Sequence, residues 1–122
     1  MRKKIVLVED DPDILFAVKL ILQNSGYEVT AMTSAMSIMH GHSTVPDLYI
    51  LDKRMPDMDG LDVCRYLRSV RSSRKTPVII ISASPDAGVQ AIGAGANDFL
   101  EKPFHLKTLV SMVQKYVPNG TA

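Results

Sequence analysis

The apolar positions of the chain follow two rhythms, and their alternation predicts the architecture. Lys4 to Val8 is a short β-branched run closed by Glu9, Asp10 and Asp11, which predicts a first strand. Asp11-Pro12 then offers a capping carboxylate with proline at the first helical position, so a helix is expected from Pro12 to Asn24. Its core stripe reads Ile14, Ala17, Val18 and Ile21, and Gly26 stands where a left-handed residue would close the helix. Tyr27 to Met32 reads as a second strand. Ser34 would cap a short helix with Ala35, Ile38 and Met39 on one face, ended by Gly41, and Pro46 leads into a strand from Asp47 to Asp52. A third helix, Leu61 to Val70, would bury Leu61, Cys64 and Leu67. Pro77 to Ser82 is apolar on both faces, as an interior parallel strand covered by helices must be. A helix weakened by Gly88 and Gly93 is expected from Asp86 to Ala94, then a strand from Asp98 to Lys102. The last helix has the clearest period, with Leu106, Leu109, Val110, Val113 and Val117 on one side, and Pro118 and Gly120 end it. Five strands alternating with five helices predict an α/β, doubly wound parallel sheet, because crossovers between parallel strands are right-handed.

Composition narrows the reading without changing it. A chain of 122 residues, 46% hydrophobic and 22% charged, suits one domain with one core, and its lone Cys64 has no disulfide partner. Fourteen Lys and Arg against 13 Asp and Glu leave a formal charge of +1, so no global field would recruit nucleic acid or a membrane surface. Any electrostatic function must be local. Met1-Arg2-Lys3-Lys4 has the charge of a signal-peptide start, but the apolar run behind it stops at Glu9 and is too short. No other run approaches a membrane span, and the expected compartment is the cytoplasm.

The unusual polar residues fall where such a sheet places its ligand crevice. Glu9 and Asp10 close the first strand, Asp52 the third, Ser82 the fourth and Lys102 the fifth, all at carboxyl ends that converge at the topological switch point. Crowded carboxylates repel unless a cation lies between them, and oxygen donors with no His or Cys suit Mg²⁺. Mg²⁺ held by one or two carboxylates keeps coordination free for a phosphoryl oxygen. A carboxylate beside it can attack phosphorus, while a lysine and a hydroxyl neutralise the equatorial oxygens.

Four segments carry a family resemblance that spans essentially the whole chain: Val8-Glu9-Asp10-Asp11, Asp52-Lys53-Arg54-Met55-Pro56-Asp57-Met58-Asp59-Gly60, Ser82-Ala83, and Gly95 to Phe104. They resemble the signature of response-regulator receiver domains. The resemblance implies a flavodoxin-like sheet of order 2-1-3-4-5 and one receiver domain over residues 1–122. It implies that Asp52 is the phosphoacceptor, that Asp10 and the Arg54 carbonyl ligate Mg²⁺, and that Glu9 acts through metal-bound water. Ser82 and Lys102 would bind phosphoryl oxygens, Lys102-Pro103 would be a cis bond, and Phe99 would be the aromatic whose rotamer reports the switch. The implied phosphodonor is a histidine kinase or a histidine phosphotransfer protein. The output partner is an unidentified protein or domain. Arg54 and Ser84 occupy the positions that tune phosphoryl lifetime. The stretch from Ser82 to Gly95 is shorter than usual in the family, and Phe99 lacks the hydroxyl of the more frequent tyrosine.

Other residues receive plainer expectations. Asp11 should cap a helix, Asp57 and Asp59 should shape the loop before the third helix, and Cys64 should be buried packing. His40, His42 and His105 lack metal-ligand spacing, and Arg65, Arg68, Arg71, Arg74 and Lys75 should form a solvated basic face. Phe16 and Leu20 lie away from the core stripe of the first helix, where polar residues belong, and are expected either to help dock the phosphodonor or to pack against a neighbouring helix. The chain after Pro118 leaves no room for an output domain, so action through protein contacts, or excision from a longer polypeptide, is expected. The rival reading is a receiver-like binding module that works without phosphorylation. An aspartyl phosphatase would want a second Asp where Arg54 stands, and a flavin carrier would want a phosphate loop where the first acids stand.

Overall fold

Every strand and helix expected from the apolar rhythm forms in the computed structural model, which describes residues 2–41 and 44–118. Met1, His42 and Gly120, a residue expected to help end the last helix, lie outside the described residues. In chain order the elements are β1 (Lys4–Val8), α1 (Pro12–Asn24), β2 (Glu28–Met32), α2 (Met36–Met39), β3 (Leu48–Asp52), α3 (Gly60–Ser69), β4 (Val78–Ser82), α4 (Ala87–Gly93), β5 (Asp98–Glu101) and α5 (Leu106–Tyr116). The sheet is parallel throughout, in the order β2-β1-β3-β4-β5.

Period-two alternation divides the apolar residues between two cores. Val6, Val8, Tyr49, Leu51, Val78 and Ile80 face α2, α3 and α4, where Ile38, Cys64, Leu67 and Ala91 cover them. Ile5, Leu7, Leu48, Ile50, Ile79 and Ile81 face α1 and α5, against Val18, Leu22, Leu109 and Val113. Burial on both faces explains why β3 and β4 read as unbroken apolar runs.

Boundaries move by about one residue, as hydrogen bonding at element ends commonly makes them do. Tyr27 precedes β2 because its N–H closes the end of α1 on the Leu22 carbonyl, 3.1 Å away, while its hydroxyl donates to the Val117 carbonyl at 2.6 Å. Gly26 adopts a φ of 97°, as expected of the residue that closes α1. Asp11 accepts from the N–H groups of Asp13 and Ile14 and caps α1. Ser34 accepts from Met36 at 3.2 Å at the start of α2.

Two expectations need correction. The stripe of α1 buries Val18 and Leu22 most deeply, and Ile14, Ala17 and Ile21 are only half-buried. The helix packs against β2 and α5 as well as β1, so its apolar face is wider and turned relative to a single i, i+3, i+4 line. The basic face is interrupted at Arg68, whose guanidinium turns inward. It donates to the carbonyls of Gly95 at 2.8 Å and Thr76 at 2.7 Å, and to the side chain of Asn97 at 2.8 Å. Gly95 has a φ of +100°, and a Cβ there would lie 2.8 Å from Arg68 Cγ, so the glycine admits both the turn and the arginine. Arg68 thereby ties α3 to the start of β4 and the approach to β5.

Candidate active site

The crevice above the carboxyl ends of β1, β3, β4 and β5 collects the expected residues. Glu9, the residue after β1, is 2% exposed and is held by its own N–H, which donates to the Met32 carbonyl at 3.1 Å. Asp52, at the end of β3, is 4% exposed. Its Oδ1 accepts from the Arg54 N–H at 3.2 Å. Lys102, just beyond β5, places Nζ 2.7 Å from Glu9 Oε1 and 2.8 Å from Asp52 Oδ2. Asp10 is exposed at the rim. Glu9, Asp10 and Asp52 each offer a carboxylate oxygen, and these oxygens lie within 4.8 Å of one another. Ser82 is buried at the end of β4, and its Oγ accepts from the Ser84 N–H at 3.0 Å. Asp10, Asp52, Arg54, Ser82, Ser84 and Lys102 line a hollow of about 340 Å³.

Electrostatics separates the two buried acids. Burial first, then hydrogen bonding to Asp52, pushes the Glu9 carboxyl from its ordinary 4.5 up to about 8, against the pull of Lys102. Burial also works against the Asp52 anion, but hydrogen bonds from Glu9 and Lys102, together with the lysine charge, hold Asp52 below its ordinary value. For Lys102 burial favours the neutral amine, yet the bonds to Asp52 and Glu9 outweigh it and raise the lysine. Of the two, the low-lying carboxylate is therefore the one that lines the hollow.

The donor set fits a hard cation. Glu9 Oε2 is buried and receives no hydrogen bond from an N–H or hydroxyl donor among the described residues, so the ionised carboxylate would offer an acceptor that a cation can satisfy. The three clustered groups offer oxygen alone, which suits Mg²⁺ and not a softer metal.

The Lys102-Pro103 peptide is cis, as the motif implies. Phe99 is half-buried on the α4 side of β5, against Gly88. Phe16 and Leu20 are exposed on α1, at 68% and 46%. Cys64 is fully buried, where loss of solvation raises its thiol, and His105 stands at the N-cap of α5 without a side-chain cap bond. Asp57 accepts from the Ser34 hydroxyl at 3.0 Å, whereas Asp59 caps α3 on the Leu61 N–H at 2.8 Å and pairs with Lys53 at 3.2 Å.

Sequence reasoning missed the role of Gly60. A Cβ there would run into the Asp52 backbone carbonyl, so only glycine lets α3 begin against the end of β3. The Asp59-Gly60 pair at a helix start was the available signal. It also missed an apolar cleft beside Lys102, because its walls come from α1 and from the loop leading into α5.

The response regulator receiver domain model matches residues 5–114. The chain belongs to that family. The transcriptional regulatory protein KdpE of Mycobacterium tuberculosis is 37% identical over 121 residues, 97% of this chain and 52% of that protein. The receiver chain thus spans about half the length of the curated relatives it matches. A response regulator structure from Chloroflexus aurantiacus superposes with a TM-score of 0.89 at 29% identity, covering 95% of this chain and 98% of that one. The receiver domain of a sensor histidine kinase from Pseudomonas aeruginosa, solved with magnesium coordinated in its active-site cleft, gives a TM-score of 0.84 at 28% identity, with 95% and 98% covered. The chain is accordingly a receiver domain of two-component signal transduction, a signalling switch of a family in which phosphoacceptance is typical. No helix among its described residues is long and apolar enough to cross a membrane.

Proposed function

We propose that Asp52 accepts a phosphoryl group from a phosphohistidine on a histidine kinase or histidine phosphotransfer protein, and that the receiver domain, residues 1–122, then changes conformation and later hydrolyses the acyl phosphate. The observation that carries this reading is Lys102 Nζ standing 2.8 Å from Asp52 Oδ2 at the floor of the hollow, beside an acceptor held anionic. An Asp52 carboxylate oxygen attacks phosphorus as the bond to the imidazole nitrogen breaks, and the electron pair leaves with the histidine. Lys102 and the Ser82 hydroxyl take up the charge on the phosphoryl oxygens, which is the main task a protein has in phosphoryl transfer. Asp10, Asp52 and the Arg54 carbonyl would hold Mg²⁺ directly and Glu9 through water. When bound, that ion supplies charge neutralisation between the acids and the incoming phosphate.

Arg54 and Ser84 both line the hollow, a position from which they set water access and hence phosphoryl lifetime. Phe99 and Ser82 form the switch: the new dianion draws Ser82 and Lys102 toward it, and the Phe99 region repacks beneath α4. Phe16 and Leu20 dock the donor beside the start of α1. The reading places the domain in the cytoplasm and gives it no direct contact with nucleic acid or membrane. Its output goes to a protein or domain of unassigned identity.

The test is intact mass after incubation with acetyl phosphate and Mg²⁺, beside Asp52→Asn and a chelator control. One phosphoryl adduct on the native chain alone is expected. No adduct, together with Phe99 resonances unmoved by beryllofluoride, would favour a binding module that works without phosphorylation.

A further inference from the structure

The polar hollow has an apolar annex. A cleft of about 440 Å³ opens beside it, walled by Ala17 and Val18 of α1 and by Pro103, Phe104 and Leu106 at the entry to α5. Its volume lies in the range that takes small ligands. The two spaces adjoin across two shared residues: Ala83 and Lys102 line both. A ligand that spans them would put an anionic head at Lys102 and an uncharged tail on aliphatic and aromatic carbon.

We propose that this cleft makes the domain selective among small-molecule phosphodonors, favouring acyl phosphates with an apolar chain of about six carbons over acetyl phosphate, because the hollow and the cleft share Ala83 and Lys102 as walls. The proposal rests on Asp52 as acceptor. In the step, an Asp52 oxygen bonds to phosphorus and the bond from phosphorus to the bridging acyl oxygen breaks. The electron pair leaves with the acyl group as a free carboxylate, so no proton has to move. Lys102 lines the hollow and the cleft alike, and Phe104 and Leu106 remove the chain from water. Each added methylene that enters the cleft favours binding through loss of apolar surface to solvent. The chemistry at phosphorus is the same for both donors, so selectivity comes from the tail.

The experiment compares hexanoyl phosphate with acetyl phosphate, following phosphorylation of the native chain by intact mass with Mg²⁺ present. Hexanoyl phosphate is expected to give a kcat/KM about tenfold higher, less than full burial of four methylenes would give because the cleft remains open to solvent. Ala17→Phe, which fills the cleft from α1 and touches no reacting group, should abolish the preference and leave the acetyl phosphate rate in place. Hexylphosphonate, which transfers nothing, should shift the methyl resonances of Val18 and Leu106 in native protein, and methylphosphonate should not. Equal rates for the two donors, a preference that survives Ala17→Phe, or a hexylphosphonate titration that leaves those methyls unmoved would each overturn the proposal. If neither donor modifies Asp52, the acceptor reading fails instead, and the phosphonate titration still decides the cleft by itself.

Discussion

Gly88 and Phe99 are packed so closely that a Cβ on the glycine would lie 3.1 Å from the phenylalanine ring. The ring stands between β5 and the first turn of α4, a helix of seven residues with no side-chain cap and a second glycine at its end. Helix propensity alone would favour alanine at position 88 by about 1 kcal/mol. Gly88→Ala is expected to forgo that gain, because the ring must give way by a few tenths of an ångström, and to move the Phe99 ring resonances. Urea unfolding and an aromatic NMR spectrum check both halves. A variant more stable by the full propensity difference, with the ring unmoved, would show that the contact constrains nothing.

Glu9 is expected to make the metal-free protein sensitive to pH. Its carboxyl is pushed up to about 8 by burial and by Asp52, whereas in the unfolded chain it returns to its ordinary 4.5. The folded state thus keeps a proton that the unfolded state has released, so this contribution to stability is complete below the unfolded value and is lost as pH climbs toward 8. Asp52, held low, has the opposite sign, and its contribution disappears only in acid as pH falls through its lowered value. The expected result is a urea midpoint, measured in chelator, that declines from pH 5.5 to pH 8, with Glu9→Gln flattening the decline. Added Mg²⁺ should reverse it by stabilising the ionised pair. A native midpoint constant over that range would contradict the assignment.

Arg68 supports the fold at the end of the sheet away from the site. Its bonds to the carbonyls of Gly95 and Thr76 and to the Asn97 side chain satisfy loop acceptors beyond the reach of the α3 backbone. Arg68→Ala should destabilise the domain by about 2–3 kcal/mol, the range for losing hydrogen bonds from a charged group to partly buried acceptors. Phosphorylation by acetyl phosphate should persist in the folded fraction. Chemical denaturation beside an intact-mass assay separates the two effects.

Phe16 is 68% exposed on α1, a level that suits a contact residue and not a core one. Phe16→Ala should slow transfer from a cognate phosphohistidine donor about tenfold or more, the scale of a contact worth over 1 kcal/mol. The acetyl phosphate rate should hold. Kinase-dependent transfer that proceeds at the native rate would remove the residue from the docking face.

How much the sequence determined, and how much it could not, follows from the range of the interactions involved. Strands such as Val78–Ser82 and helices such as Leu106–Tyr116 were legible because their periods are set by backbone geometry and burial, both local. The Asp11 cap was legible for the same reason. The convergence of Glu9, Asp52, Ser82 and Lys102 was readable too, since a parallel sheet brings all carboxyl ends to one side whatever the separation along the chain. Tertiary structure alone decided where long side chains turned. Arg68 left its predicted solvated face because carbonyls 8 and 27 residues away needed donors, and no local pattern announces that need. The exclusion of any side chain at Gly60, the buried Oε2 of Glu9 without an N–H donor among the described residues, and the apolar cleft at Lys102 have the same origin. Each is a property of space between elements, which exists only once the elements are packed.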